Sequence, residues 1–249
     1  MLEGKIAVIT GGNGVLGSAF AIFLNKEGVD IAIWDKETSK ENESYYQIRG
    51  DVSDENQVEI MLKKTTEFFA GHIDILINCA GGNKGKCSFI DVDIDEFREI
   101  FNTNVCGGLI VPTKVFSKYW VKEKLSGTIV NMASMASYRP LSGIWAYDAS
   151  KSAVKNLTEG IAKELAKYEI RINAIAPGFI ITKQNKNLLM DGNSLTERGK
   201  EVIFRTPMGR FGVPEDLKDV LLLLADDEKS GFMTGVTIPV DGGFLVNNV

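Results

Sequence analysis

Histidine and cysteine are scarce in this sequence of 249 residues, which contains one histidine and three cysteines. Cys79, Cys87 and Cys106 form no C-x-x-C pair, and an odd number of cysteines does not suggest a disulfide framework. Free thiols of this kind suit a reducing compartment, where cysteine behaves as a small apolar residue. We therefore expect neither structural disulfides nor a metal site.

An excess of basic charge and a long apolar run are also missing. Lys and Arg number 28 against 33 Asp and Glu, so the net charge of −5 offers no basic field to nucleic acid or anionic membranes. No apolar run reaches membrane-spanning length, and no signal peptide precedes the first apolar segment. These absences predict a cytoplasmic protein with no nucleic-acid or membrane partner.

The sequence does contain a regular alternation of apolar, β-branched segments with amphipathic ones. The predicted strands are 5–10, 30–34, 46–50, 73–77, 127–132, 170–176 and 236–240, and the predicted helices lie near 15–27, 54–69, 95–123, 147–168 and 214–225. Such alternation predicts right-handed βαβ units and therefore an α/β fold with a doubly wound, Rossmann-like parallel sheet. No linker or repeat interrupts it, which favours a single domain over residues 1–249.

The segment 179–206 breaks this alternation, because its periodicity is weak and its composition polar. Long connections in compact α/β domains are usually functional, so we expect a substrate lid; the alternative is a surface excursion without a role. The segment has a local excess of two positive charges, from Lys183, Lys186, Arg198, Lys200 and Arg205 against Asp191, Glu197 and Glu201.

Glycines cluster in residues 8–17, VITGGNGVLG, between a predicted strand and a predicted helix. The stretch fits G-x-G-x-x-G from Gly12 and T-G-x-x-x-V-x-G from Thr10, and in either frame free N–H groups at the helix start would face a pyrophosphate. The next strand ends at Asp35, whose carboxylate would accept ribose hydroxyls and repel a 2′-phosphate. We therefore expect NAD(H) to be preferred over NADP(H), with Lys36 weakening the preference.

A second group of residues suggests acid–base chemistry. Tyr147 and Lys151 are four apart on a predicted helix and share a face, so the ammonium is expected to lower the pKa of the phenol from its usual value of about 10. Ser134, at the end of a predicted strand, could hold a substrate oxygen beside Tyr147. The alternative is a chance Y-x-x-x-K on an exposed helix face.

These pieces resemble the short-chain dehydrogenase/reductase family over essentially the whole chain. The matching stretches are Thr10-Gly11…Gly17, Asp51-Val52, Asn78-Cys79-Ala80-Gly81, Asn104, Ser134, Tyr147-x-x-x-Lys151, Pro177-Gly178-x-x-x-Thr182 and Asp241-Gly242-Gly243. The resemblance implies a catalytic tetrad of Asn104, Ser134, Tyr147 and Lys151, in which Tyr147 is the acid–base, Ser134 orients the carbonyl, Lys151 also grips the nicotinamide ribose and Asn104 supports a water-linked proton relay. It also implies a homotetramer.

The same resemblance selects the Thr10 frame and implies the residues that hold NAD. Val15 then occupies the usual middle glycine and Cys79 the usual second asparagine. Asp51 and Val52 would flank the adenine, and Ile180 and Thr182 would contact the carboxamide. The full implied set is Gly11, Asn13, Gly14, Val15, Leu16, Gly17, Asp35, Asp51, Val52, Asn78, Cys79, Ala80, Gly81, Tyr147, Lys151, Pro177, Gly178, Ile180 and Thr182.

Within the family, the glycine stretch, the Ala80–Asn83 run and the 177–212 block are similar to enzymes that interconvert D-mannonate and D-fructuronate; the match departs at Lys84-Gly85. A carboxylate substrate would gain charge-assisted hydrogen bonds from a cationic lid. The residues predicted to bind this sugar acid are Asn83, Ser134, Tyr147, Gln184, Asn185 and, as the lid cation, Arg205. The alternatives are a reductase of 3-oxoacyl thioesters or of another small ketone or polyol, and a nucleotide-binding protein without catalysis.

Overall fold

The computed structural model describes residues 1–182, 186–192 and 194–247. Its main sheet is parallel and has seven strands in the order β3-β2-β1-β4-β5-β6-β9. These strands are β1 Ile6–Thr10, β2 Asp30–Asp35, β3 Tyr46–Arg49, β4 Ile75–Asn78, β5 Gly127–Met132, β6 Ile170–Pro177 and β9 Thr237–Val240, while β7 Met190–Asp191 and β8 Ser194–Leu195 form a separate antiparallel pair. All seven predicted strands and the doubly wound fold are confirmed.

Helices cover both faces of the main sheet. They are α1 Val15–Lys26, α2 Glu55–Phe69, α3 Ile94–Phe101, α4 Val111–Glu123, α5 Trp145–Leu165, α6 Lys186–Leu189, α7 Glu197–Arg205, α8 Lys218–Ala225 and α9 Asp227–Ser230, with a π-helical stretch Asn102–Ile110 between α3 and α4. Central strands such as β1 and β4 are buried throughout because apolar side chains meet a helix layer on each side. No helix among the described residues is long and apolar enough to cross a membrane.

Two of the three core clusters among the described residues show which helices lie together. Phe20 and Leu24 of α1 and Leu221 of α8 pack on one face of the sheet. Leu62 of α2 and Phe116 of α4 pack on the opposite face. Both cores use alternate residues of the same strands, since successive strand side chains point to opposite faces.

The strand order reverses at β1, which pairs with β2 on one side and with β4 on the other. Thr10 and Asn78, at the carboxyl ends of β1 and β4, are partners in register. In open α/β sheets a ligand binds in the crevice outside these carboxyl ends. The fold therefore places the glycine-rich turn and the Asn78–Gly81 stretch on two sides of one crevice.

The described part of the 179–206 segment contains α6, the β7–β8 pair and α7. A Cβ at Gly199 would lie 2.1 Å from the Leu189 carbonyl oxygen, so α6 and α7 meet at a glycine. Thr196 caps α7 by accepting from Gly199 N at 3.0 Å. The segment thus has more regular structure than its weak periodicity suggests. Gln184 and Asn185, both predicted to bind substrate, lie outside the described residues.

Candidate active site

The structure brings Ser134, Tyr147 and Lys151 together at the carboxyl end of β5. Ser134 begins a short turn, with its Oγ accepting from Ala136 N at 3.1 Å and its N donating to Ser137 Oγ at 3.3 Å. Its hydroxyl also makes a hydrogen bond with Tyr147. A substrate oxygen placed against both hydroxyls would meet two polar groups that the turn and the first turn of α5 hold in place.

Tyr147 is half-buried, and its environment differs from the sequence-based expectation. Burial raises the pKa of its phenol; the Ser134 hydrogen bond lowers it, and the charge of Asp148 raises it further. The Lys151 ammonium lies 5.7 Å from the centroid of the ring and donates to the Met132 carbonyl at 2.7 Å. The pKa of Tyr147 is therefore raised, not lowered as the spacing of Tyr147 and Lys151 predicts, because burial is the largest cause of its shift. Tyr147 is a neutral phenol at pH 7.

Lys151 is almost fully buried, with 7% of its surface exposed. Burial lowers the pKa of its amine to about 8, although the nearby Cys79 raises it. Most of the amine is therefore still protonated at pH 7. A cation held under the tyrosine ring would stabilise negative charge that develops on the phenol oxygen when its proton leaves.

Asn104 lies in the π-helical stretch between α3 and α4 and is 1% exposed. Its Oδ1 accepts from Gly82 N at 2.7 Å, and its Nδ2 donates to the Gly82 carbonyl at 2.9 Å and to Ser150 Oγ at 2.9 Å. A Cβ on Gly81 would lie 2.7 Å from Asn104 Oδ1. Asn104 therefore joins the loop after β4 to α5; its part in a proton relay stays a prediction.

The glycine-rich turn has the shape and the free donors that a pyrophosphate needs. Gly11 adopts a φ of 63°, and a Cβ on Gly17 would lie 2.4 Å from the Gly11 carbonyl oxygen. Gly14 precedes α1, and no side chain in the described ranges caps the helix start. The N–H groups of the first turn are thus left for an anion. Val15 is the half-buried first residue of α1, so the missing middle glycine does not obstruct the turn.

Asp35 is fixed at the end of β2 by two backbone donors. Its Oδ2 accepts from Asn13 N at 3.0 Å and its Oδ1 from Lys36 N at 2.7 Å. The Lys36 ammonium pairs with Asp51 at 3.1 Å, so the cation that was expected to weaken the preference for NAD(H) already has an anionic partner. Burial opposes ionisation of Asp51, but hydrogen bonds from Ser53 and Lys36 outweigh it and lower its pKa.

The predicted cofactor residues at the end of β4 and just after it can offer their backbone to the cofactor, while the side chain of Asn78 points into the protein interior. The Asn78 side chain turns inward, donating to Thr113 at 3.0 Å and Asn131 at 2.9 Å, so only its backbone can line the crevice. Thr10 Oγ1 accepts from Cys79 N and Ala80 N at 3.2 Å each, which fixes that backbone. Burial raises the pKa of the Cys79 thiol to about 12, so Cys79 is not a nucleophile.

The remaining predicted cofactor positions are placed as the fold requires. Val52 follows β3 and is 7% exposed. A Cβ on Gly178 would lie 2.6 Å from Asp241 Cα, which explains a glycine after β6. Ile180 donates its N–H to the Gly178 carbonyl at 3.0 Å and forms a bridge with Gly212, so the chain after β6 packs against the segment that precedes α8.

Two of the predicted substrate residues, Asn83 and Arg205, are exposed and already bonded to neighbouring groups of the protein. Asn83 is exposed, and its Nδ2 donates to the Gly85 carbonyl at 3.0 Å. Arg205 is exposed and pairs with Glu201 at 3.2 Å on the same helix. Arg198, also on α7, is half-buried and has no ion pair among the described residues. Its partial burial and its proximity to the Lys86 charge make it a better candidate for the lid cation than Arg205, and charge counting along a sequence does not reveal which side of a helix packs inward.

Asp148, beside Tyr147, is a site residue to which sequence reasoning gave no role. Its Oδ2 accepts from Leu141 N at 2.8 Å, which holds the loop before α5. Burial raises the pKa of its carboxyl to about 6, opposed by the Leu141 hydrogen bond. Its other oxygen is buried without a hydrogen-bond partner in the described structure. The sequence feature that could have identified Asp148 is its position as an acidic residue between the tyrosine and the lysine of the Y-x-x-x-K motif.

Comparison with known proteins agrees with this geometry. A family model described as enoyl-(acyl carrier protein) reductase matches residues 13–245. An uncharacterized oxidoreductase, UxuB, of Bacillus subtilis is 40% identical over 98% of this chain and 96% of its own length. A 2-dehydro-3-deoxy-D-gluconate 5-dehydrogenase of Dickeya dadantii is 33% identical over 98% and 96%.

A solved structure is also similar to this chain over almost its whole length. A crystal structure of a candidate D-mannonate oxidoreductase from Haemophilus influenzae, with bound NAD, superposes with a TM-score of 0.91 at 36% identity, over 99% of this chain and 97% of that one. Together with the phosphate turn and the grouped serine, tyrosine and lysine, this defines an oxidoreductase that uses a nicotinamide dinucleotide. The chain belongs to the short-chain dehydrogenase/reductase family, and the predicted class of cofactor is confirmed.

Proposed function

We propose that this enzyme interconverts a keto sugar acid and its alcohol with NAD(H), and that the pair is D-fructuronate and D-mannonate. The observation that carries the sugar-acid part is a pair of neighbouring cations, Lys86 on the loop beside the start of α5 and Arg198 on α7. The relatives support the class: one acts, by its name, on 2-dehydro-3-deoxy-D-gluconate, and another is a candidate D-mannonate oxidoreductase.

Lys86 lies on the loop after β4, next to the residues that lead into α5. Its Cβ would be 3.6 Å from a Cβ on Gly143, and the following residue, Cys87, donates its N–H to the Gly143 carbonyl at 3.0 Å. Trp145 Nε1 in turn donates to the Cys87 carbonyl at 3.1 Å, two residues before Tyr147. These contacts attach the Lys86 loop to the helix that carries the acid–base residue.

Arg198 approaches Lys86 from α7. Partial burial lowers the pKa of the Lys86 amine, the charge of Arg198 lowers it further, and Glu201 partly restores it. Neither cation has an ion pair within the described ranges, whereas Lys84, Lys200 and Arg205 each have a carboxylate partner. Two like charges without an acceptor are stabilised by an anion, and a substrate carboxylate supplies one.

The residues around Tyr147 then have defined tasks. NADH, which the glycine-rich turn and Asp35 would hold, would supply the hydride for the ketone carbon. Ser134 donates a hydrogen bond to the ketone oxygen, and Tyr147 gives that oxygen its proton. Lys151 stabilises the phenolate left behind, while Asn104 and Asp148 hold the loops that enclose the site. Asn83 contributes polar contacts to the sugar hydroxyls, and the 179–206 segment covers the site as a lid on a single domain.

Asp35 favours NAD(H) in this proposal. Its two carboxylate oxygens are oriented by Asn13 N and Lys36 N and each keeps a lone pair for a ribose hydroxyl. A 2′-phosphate would meet the same negative charge. The Asp35→Ala variant should therefore shift preference toward NADPH, and wild-type enzyme that already prefers NADPH would contradict this role.

The test compares D-fructuronate with the matching neutral ketose, D-fructose, in wild type and in Lys86→Ala and Arg198→Ala. Losing a charge-assisted hydrogen bond costs about 1.5–3 kcal/mol, so kcat/KM for fructuronate should fall about tenfold to a hundredfold while that for fructose stays unchanged. Arg205→Ala, which removes a cation already paired with Glu201, is the matched control. Equal use of both sugars by the wild type would refute the sugar-acid proposal.

We also propose that four copies assemble into a homotetramer. Large apolar side chains at high exposure support association: Phe204 at 85%, Met208 at 70%, Phe232 at 106% and Val246 at 73%. Patches of exposed apolar surface commonly mark interfaces. A monomeric mass by light scattering would contradict this assembly.

A further inference from the structure

The connection between β2 and β3 is unusually short for a parallel pair. Residues 36–45 contain only a short 3₁₀ turn at Lys40–Asn42. Parallel strands normally need a dozen or more residues, usually with a helix, to cross over. A short crossover without a helix must be held by contacts to the rest of the protein.

Asn42 provides those contacts from a buried position, with 3% of its surface exposed. Its Nδ2 donates to Asn13 Oδ1 at 2.8 Å and to Ser18 Oγ at 3.0 Å, and lies 3.5 Å from the Gly12 carbonyl. All three partners belong to the glycine-rich turn or the first turn of α1. One amide therefore fastens the crossover to the phosphate-binding turn.

Gln47 on β3 completes the network from the other side. Its Oε1 accepts from Ser39 N at 2.9 Å and from Asn13 Nδ2 at 3.3 Å. Its Nε2 donates to the carbonyls of Ser39 at 2.8 Å and Asn42 at 2.9 Å. The crossover is thus bound at both ends to side chains that face the turn.

Asn13 connects this network to the carboxylate at the end of β2. Its side-chain amide donates to the Glu37 carbonyl at 2.6 Å as well as to Gln47, and its backbone N–H donates to Asp35 Oδ2. Both polar ends of Asn13 are therefore occupied within the protein. Asn13, which is predicted to bind the cofactor, also connects the crossover to Asp35 through these hydrogen bonds.

We propose that Asn42 is a positioning residue for the adenosine end of the nucleotide: its buried amide clamps the 36–45 crossover onto the glycine-rich turn and, through Asn13, holds Asp35 in the orientation that selects NAD(H) over NADP(H). The inference rests on the proposed role of Asp35. It concerns binding and selectivity, not the chemical step.

The test measures dissociation constants for NADH and NADPH by fluorescence titration without substrate, in wild type and Asn42→Ala. We expect NADH binding to weaken about tenfold, which is the effect of losing one to two buried hydrogen bonds. The ratio of the NADPH dissociation constant to the NADH dissociation constant should fall by a similar factor. At saturating NADH, kcat should stay within about twofold of wild type. Asn25→Ala is the matched control, because Asn25 is an exposed asparagine of α1 that donates to the Val29 carbonyl at 3.2 Å.

A second variant guards against failure to fold. Gln47→Glu keeps the Oε1 acceptor but removes the Nε2 donor to the carbonyls of Ser39 and Asn42. It should also lower the ratio of the NADPH dissociation constant to the NADH dissociation constant. A purely structural role would lower the thermal midpoint of both variants and leave the NADH-to-NADPH ratio unchanged, which would overturn the proposal. Wild-type preference for NADPH would instead refute the proposed role of Asp35, so the two failures are distinguishable.

Discussion

At the scale of single residues, Tyr147 and Lys151 divide the acid–base work in an unexpected way. Burial raises the pKa of Tyr147 and lowers that of Lys151 to about 8. The tyrosine therefore carries its proton at neutral pH, and in the proposed mechanism the lysine is a cation that stabilises the phenolate once the proton has left. This arrangement suits reduction of a ketone at neutral pH, because both groups are protonated there.

Replacing Tyr147 tests the donor directly. Tyr147→Phe keeps the ring beside Lys151 but removes the hydroxyl proton, so kcat should fall at least about a hundredfold, the usual scale for a positioned general acid. NADH affinity should be retained, since the phenol oxygen is not needed for the glycine-rich turn. Steady-state turnover and NADH titration on the same preparation check both statements. Near-normal turnover would exclude the assigned role.

Lys151 predicts the pH dependence. Because burial lowers its pKa from 10.5 to about 8, the amine is charged below that pH and loses its charge as the pH rises through it. Reduction should therefore slow above about pH 8, whereas the raised pKa of Tyr147 keeps the phenol protonated. The pH profile of kcat/KM for NADH depends on the ionisation of groups in the free enzyme, so it shows the pH at which this decrease begins. A profile that stays flat to pH 9.5 would contradict the assignment.

At the scale of elements, the π-helical stretch at Asn102–Ile110 sets the geometry of the site. π-helical turns inside α-helices are rare and often occur at functional sites. Here the stretch carries Asn104 between Gly82 and Ser150, so it links the loop after β4 to α5. The sequence predicts one long helix over 95–123 and gives no sign of the altered winding, which depends on hydrogen bonds made across the fold.

A substitution at Gly81 tests this link. Gly81 has a φ of 150°, and an added Cβ would lie 2.7 Å from Asn104 Oδ1. Gly81→Ala should displace the Asn104 amide or the loop and lower kcat about tenfold or more, the scale seen when a catalytic arrangement shifts by about 1 Å. Gly82→Ala is the control, since a Cβ there meets nothing within 4 Å. Equal effects from the two variants would contradict the steric argument.

The elements also show how far a sequence can be interpreted. The seven strands were predictable because each is a short apolar run between turn residues, and their alternation with helices predicted the doubly wound parallel sheet. The Asn42 clamp was not predictable, because an asparagine in a polar loop looks like an ordinary turn residue until the chain returns to the glycine turn. The same limit explains Arg198: its half-burial depends on how α7 packs, which a count of charges does not contain.

At the scale of the whole molecule, an ionic cluster lies at the amino ends of the central strands, opposite the site at their carboxyl ends. Arg171 of β6, 9% exposed, donates to Asp227 Oδ1 at 2.7 Å and to Thr128 Oγ1 at 3.0 Å, and Lys5 pairs with the same carboxylate. Burial opposes ionisation of Asp227, but the hydrogen bonds from Lys5, Arg171 and Thr128 outweigh it and lower its pKa to about 2. The cluster therefore joins β1, β5 and β6 to α9.

This cluster predicts the response of the fold to acid. Since the folded-state pKa of Asp227 is depressed, its contribution to stability is complete above about pH 4 and is lost as the pH falls toward 2. Removing one partner of a buried pair costs about 3–5 kcal/mol, and because Asp227 is partly exposed we expect Asp227→Asn to lower the unfolding free energy at pH 7 by about 2 kcal/mol.

Urea denaturation at pH 7 and pH 3 measures both the loss of stability in the variant and its dependence on pH. The difference between wild type and variant should shrink at the lower pH, while Asp95→Asn, which removes a surface pair with Arg98, should change little at either pH. A difference between Asp227→Asn and wild type that is independent of pH would mean that packing, not the charge of Asp227, stabilises this end of the sheet.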